Sequence, residues 1–302
     1  MSPIEIDSLR KEYGDTVAVS DLSVAVEAGE IFGFLGPNGA GKTTVIRTLM
    51  GFHAPTTGET RVLGADATDE SALVGVKERV GYLPAHPTFD SDVTGRAFLD
   101  HQASLKGDAR REDLLELFDP PLDRKVREYS TGNAQMLGLV TAFMHDPDLV
   151  ILDEPTAGLD PLKQERFNEF LRAERERGTT VFFSSHVLGE VRRVCDRVGV
   201  LRDGKLAAVE DVDDLLSRGG KRVRVRTVDG IAPADVDLPG AVDVEALADG
   251  VGFTFTGDFN DLLDALGRFD VVELDVEEPP LEDVFMHFYG EPEPTEEVES
   301  DV

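Results

Sequence analysis

Residues 36–44 read GPNGAGKTT, a loop in which three glycines precede a lysine and two threonines. Gly36, Gly39 and Gly41 permit backbone conformations closed to other residues, so the chain can curl with its N–H groups facing an anion. Lys42 would then neutralise phosphate oxygens, and the Thr43 hydroxyl would coordinate Mg²⁺, with Asn38 and Thr44 in the same loop. The pattern has this meaning where a strand precedes it and a helix follows. Here the apolar run IFGFLG leads into Gly36, and the stretch from Lys42 to Leu49 turns helical. The competing reading is a glycine-rich turn with an exposed lysine.

Three further stretches carry reactive side chains. DLVILDE, residues 148–154, is an apolar strand closed by Asp153 and Glu154, and open α/β sheets bind ligands at that end of their strands. Asp153 suits a metal, and Glu154 suits positioning or deprotonating a water. YSTGNAQMLGLV, residues 129–140, presents Ser130, Thr131 and Gly132 at the start of an apolar helix, where N–H groups can face an anion. Ser130 could equally cap its own helix, the common use of such serines. His186 follows the apolar run TVFFSS, where a histidine can also be a packed or capping residue.

The elements that must hold these groups alternate. Short apolar runs at 31–35, 148–154 and 179–185 read as parallel strands covered on both faces, with helical patterns between them, including PLKQERFNEFLRAERERG. GRAFLDHQASLKG and REDLLELFD interrupt that order and predict a helical insertion. Beyond about Leu216, RVRVRTV and GVGFTFTG alternate with period two, while FNDLLDALGRF and PPLEDVFMHFYG read as helical. The fold class expected is α/β, a P-loop NTPase with a mainly parallel central sheet, an antiparallel β subdomain, a helical insertion and a small α+β appendage. The expected limits are 1–216 for the first domain with the insertion at about 87–134, 217–290 for the appendage, and 291–302 for an acidic tail.

Sixty acidic against thirty basic residues give a formal charge of −30, and only eight of the basic residues are lysine. Such a surface repels nucleic acid. Arg222, Arg224 and Arg226 alternate with valine and read as one exposed face of a strand, not as a nucleic-acid patch. Molar salt shortens the screening length to about 3 Å, so a salt-rich cytoplasm accounts for the charge. The acidic run EPEPTEEVES accounts for only part of it. A single cysteine, Cys195, excludes an internal disulfide, the start of the chain does not resemble a signal peptide, and no apolar run approaches the roughly 20 residues that span a bilayer.

Taken together these motifs resemble the ATP-binding subunits of ABC transporters, over roughly residues 4–215. Gly36 to Thr44 match the family's Walker A loop, Ser130 to Gln135 its signature loop in variant form, Leu149 to Glu154 Walker B, Gly158 to Asp160 the D-loop, and His186 the switch histidine. The appendage resembles the carboxyl-terminal extension of exporter-type members. The resemblance implies ATP and Mg²⁺ as cofactors and an integral-membrane ABC permease as partner at the cytoplasmic face of the cell membrane. It also implies a second ATP-binding subunit, in a homodimer, whose Ser130 and Gly132 would cap the γ phosphate held by the first chain. His186 would contact that phosphate and Tyr13 would stack on adenine. No guanine-reading NKxD occurs, which favours ATP.

One position departs from the family. After VGYL the family places Gln, sometimes Glu, where this chain has Ala85. Either His86 or a water substitutes, or hydrolysis is slower. Two rivals follow: a soluble ABC ATPase serving assembly or translation, and a weakly hydrolytic nucleotide-dependent regulator.

Overall fold

Three apolar runs build the centre of the structure. In this computed structural model, which describes residues 2–214 and 220–277, the chain divides into two compact units between Asp211 and Val212. The first unit opens with two long strands, β1 (Ile4–Tyr13) and β2 (Thr16–Val26), before β3 (Ile31–Leu35) enters the core. Helix α1 (Lys42–Leu49) follows, then β4 (Thr57–Val62), β5 (Ala65–Asp66), α2 (Glu70–Lys77) and β6 (Val80–Leu83).

The insertion comprises α3 (Gly95–Lys106), α4 (Arg111–Phe118) and the start of α5 (Thr131–Phe143). Next come β7 (Leu149–Asp153), α6 (Pro161–Glu176), β8 (Thr180–Ser185), α7 (Leu188–Val194), β9 (Arg197–Arg202) and β10 (Lys205–Asp211).

The central sheet runs β10-β9-β3-β8-β7-β6, parallel throughout except at β10, while β2-β1-β4-β5 form an antiparallel sheet. Every residue of β3, β7 and β8 is buried, which is why these strands read as continuous apolar runs and not as alternation. The β9–β10 hairpin turns on Asp203 and Gly204, both at positive φ, as a two-residue turn requires. Side chains from α1 (Val45, Ile46, Leu49) meet Ile4 and Leu22 of the antiparallel sheet and Phe182 of β8 in one core. That packing fixes the start of α1 against both sheets.

An ion pair anchors the insertion. Arg110, just before α4, forms two 2.6 Å hydrogen bonds to Glu174 of α6, which is 1% exposed and also accepts from the Thr179 hydroxyl at 3.2 Å. Two-pronged geometry of this kind offsets the cost of burying charge.

The second unit holds an antiparallel sheet in the order β12-β13-β11-β14, from β11 (Lys221–Thr227), β12 (Ala241–Leu247), β13 (Gly250–Phe255) and β14 (Val271–Glu277), with helix α8 (Phe259–Leu266). Val223 and Val225 join Phe253, Phe255 and Leu262 in its core. Arg222 and Arg226 pair with Glu245 and Glu273 at 3.3 and 2.7 Å. The helical reading of 279–290 and the acidic tail at 291–302 lie outside the described residues.

Candidate active site

The loop between β3 and α1 is built to leave N–H groups free. Gly39 and Gly41 have φ of +86° and +108°, and a Cβ on Gly41 would stand 2.6 Å from the Ala18 carbonyl oxygen. Only glycine fits there without strain. Gly41 caps α1 but offers no side-chain hydrogen bond, so the first N–H groups of the helix point outward without an intramolecular cap. Gly36 N–H donates to the Ser185 carbonyl at 3.2 Å, tying the loop to the end of β8.

Lys42 is 6% exposed. Its ammonium donates to the Gly36 carbonyl at 2.6 Å and pairs with Glu154 at 3.2 Å. The exposed lysine of the alternative reading is therefore not what the fold builds. This cation is held inside the loop by a carbonyl and a carboxylate, partners that phosphate oxygens can replace.

Asp153 sits at the meeting point of three segments. Its carboxylate accepts from the Thr43 hydroxyl at 3.0 Å and from the Ser184 hydroxyl at 2.6 Å, and it is 1% exposed. Glu154 follows with φ of +50°, a left-handed conformation that costs a residue with a side chain on the order of 1 kcal/mol. Its N–H donates to the Ser184 carbonyl at 3.1 Å, which helps fix the bend. The bend turns its carboxylate toward Lys42 and toward His186, whose Nδ1 lies 2.7 Å away.

Lys42, Thr43, Glu154 and His186 line one cleft of about 500 Å³ with Gly39, Gly41, Ala18, Pro37, Asn38, Thr44, Ala85, His86 and Ala157, while Asp153 lies behind Thr43, hydrogen-bonded to its hydroxyl. Thr43 and Asp153 are hard oxygen donors in direct contact, a set that fits Mg²⁺, which keeps waters and takes its remaining ligands from substrate phosphates. Among the described residues, no group of three or more His, Cys, Asp or Glu is arranged to hold a metal without such help.

Ser130 does cap α5, its Oγ accepting from the Asn133 N–H at 3.2 Å, and neither Ser130 nor Gly132 lines the cleft of its own chain. A Cβ on Gly132 would stand 2.7 Å from the Gly158 carbonyl oxygen, so the signature and D-loop segments are packed backbone to backbone. Asp160 caps α6 by accepting from the Lys163 N–H at 3.0 Å, and that bond lowers its carboxyl pKa. Tyr13 also stands apart from the cleft lining. It is 44% exposed, with its ring edge on His53 at 5.9 Å and the Lys11 ammonium 5.1 Å from its centroid.

Three contributors were not singled out from the sequence. Ser184 orients Asp153, Gln135 donates from its buried amide to the Pro155 carbonyl at 2.8 Å, and Glu190 accepts from two hydroxyls near the cleft. Ser184 and Gln135 lie inside the motifs themselves. A polar side chain at the end of a buried strand or on an apolar helix was the available signal.

A phosphate-binding loop between a buried parallel strand and a helix, facing two carboxylates at the end of another buried strand of the same sheet, defines a P-loop nucleotide-binding protein. The family model described as ABC transporter matches residues 19–157. The bacitracin transport ATP-binding protein of Bacillus licheniformis is 33% identical over 306 residues, covering 95% of this chain and 97% of that one. The Nod factor export ATP-binding protein I of Rhizobium meliloti is 38% identical over 67% of this chain and 62% of its own length. A solved ATP-binding subunit of an ABC transporter superposes with a TM-score of 0.66 at 28% identity, covering 72% of this chain and 93% of that one. The chain belongs to the ABC transporter ATP-binding proteins, and as a member it is an ATPase that powers transport. No described helix is long and apolar enough to cross a membrane, and subunits of this family work with a membrane permease.

Proposed function

We propose that this subunit drives export through a separate integral-membrane permease, bound at the cytoplasmic face, as one half of a homodimer. The observation that carries the dimer is the position of Ser130 and Gly132. Both stand outside the nucleotide cleft of their own chain, at a helix start suited to an anion. A phosphate held by a second copy is the anion this arrangement fits. Export is supported by the relatives' descriptions as bacitracin transport and Nod factor export proteins.

In this reading the glycine loop and Lys42 hold the β and γ phosphates, while Thr43 and Asp153 would hold Mg²⁺, which neutralises phosphate charge when bound. Glu154 orients and deprotonates the attacking water, His186 contacts the γ phosphate, and Asp160 meets the partner chain. Tyr13 takes the adenine by turning away from His53. The acidic surface fits a salt-rich cytoplasm.

Complementation tests the shared site. Ser130→Asp keeps a good helix cap but sets a negative charge against the partner's γ phosphate. Lys42→Ala removes the cation in the chain's own cleft. Each variant alone should hydrolyse little ATP, whereas their mixture contains dimers with one intact composite site and should regain activity. A mixture no more active than either component contradicts the head-to-tail homodimer.

A further inference from the structure

Glu190 lies in the first turn of α7 and is half-buried. Its two carboxylate oxygens each accept one short hydrogen bond, from the Thr156 hydroxyl at 2.6 Å and from the Ser185 hydroxyl at 2.6 Å. Both donors are nearly inaccessible, Thr156 at 5% and Ser185 at 0% exposure. Ser185 Oγ in turn accepts from the Val187 N–H at 2.9 Å, and with the Val187 carbonyl at 3.4 Å, Glu190 is the nearer acceptor for its hydroxyl proton.

The two hydroxyls belong to the two segments whose side chains meet in the cleft. Thr156 is two residues after Glu154, and Ser185 immediately precedes His186, while Glu154 and His186 touch at 2.7 Å. One carboxylate therefore straps together the backbones that carry the proposed water-activating carboxylate and its histidine. We propose that Glu190 is a positioning residue for hydrolysis, holding Glu154 and His186 at their mutual distance without touching substrate. This rests on the ATPase reading of the cleft.

The physical reason is the sensitivity of such pairs to placement. A displacement of about 1 Å far from the reacting atoms can lower a rate by roughly 10²-fold. Glu190→Ala leaves two buried hydroxyl protons without their acceptor and frees both segments. Glu190→Gln keeps one acceptor oxygen and a donor of the same shape, so it should retain part of the strap. Neither change touches Lys42, Thr43 or the glycine loop.

The test is a double-mutant cycle in MgATP hydrolysis, with ATP affinity measured in parallel and the melting temperature of every variant recorded. Glu190→Ala should lower kcat by about ten- to a hundred-fold with ATP affinity almost unchanged, and Glu190→Gln should recover much of that loss. In a His186→Ala background the same change should cost about two-fold or less, because groups acting through one contact are not additive. An equal proportional loss in both backgrounds, or a kcat close to the parent's, overturns the proposal. Should Glu190→Ala fail to fold, Thr156→Val and Ser185→Ala each remove one arm of the strap and read the same cycle. A parent that binds but does not hydrolyse MgATP overturns the ATPase reading first, and the role given to Glu190 with it. An active parent with an additive cycle overturns the role of Glu190 alone.

Discussion

His186 Nδ1 lies 2.7 Å from Glu154 Oε2, while the other oxygen of that carboxylate lies 3.2 Å from Lys42 Nζ. The carboxylate is held from both sides, by the histidine after β8 and by the lysine that opens α1. A γ phosphate entering the cleft would take Lys42 as its own partner and free one oxygen of Glu154 for a water. The acid and base groups of the cleft thus satisfy one another, which avoids the cost of unpaired buried charge.

Ala85 lines this cleft beside His86, and its side chain has no polar atom. Ala85→Gln should restore an oxygen able to help order the attacking water, and hydrolysis should accelerate. The gain is bounded by one hydrogen bond to a charged site, about 1.5 to 3 kcal/mol at most. Steady-state hydrolysis at saturating MgATP measures it. An equal or lower rate means that His86 or a water already serves this function.

His145, after α5, is pushed from 6.5 to about 4, chiefly by burial, with the charge of Lys106 acting in the same direction. The folded state therefore keeps it neutral where the unfolded chain would take a proton. Its contribution is complete above about pH 6.5 and is lost as pH falls toward 4, on the order of 1 to 3 kcal/mol across that window. His145→Gln should flatten the fall in urea midpoint between pH 7.5 and 5 relative to the parent. Parallel profiles for the two proteins would show that His145 titrates normally.

The formal charge of −30 should make folding depend on salt. Raising ionic strength from about 0.1 to 1 M shortens the screening length from roughly 10 to 3 Å, weakening repulsion between neighbouring carboxylates. The melting temperature should climb with KCl over that range. A flat profile would remove the salt-rich cytoplasm as the reason for this composition.

What the sequence made legible follows from where physics is local. The start of α1 at Lys42 could be read because a glycine turn and a helical period meet there, and β7 and β8 because strands buried on both faces are uniformly apolar. By contrast β14, VVELDVE, has only one residue that is not exposed, and β12 has none that is fully buried. Their pairing with β11 and β13 is a tertiary choice with little local pattern behind it. The same holds inside the site. The types of Asp153, Glu154 and His186 announced chemistry, whereas the left-handed backbone of Glu154 and the Glu190 strap exist only once distant segments are brought together.

The most direct measurement is phosphate release from MgATP by the purified parent and by Glu154→Gln, with ATP binding and oligomeric state followed in the same samples. The amide keeps the shape of Glu154 and lacks its base, so the variant should bind ATP, persist as an ATP-bound dimer by size-exclusion chromatography, and hydrolyse about 10² to 10⁴ times more slowly. Hydrolysis by Glu154→Gln at the parental rate would contradict the account, since the water would then be activated by some other group.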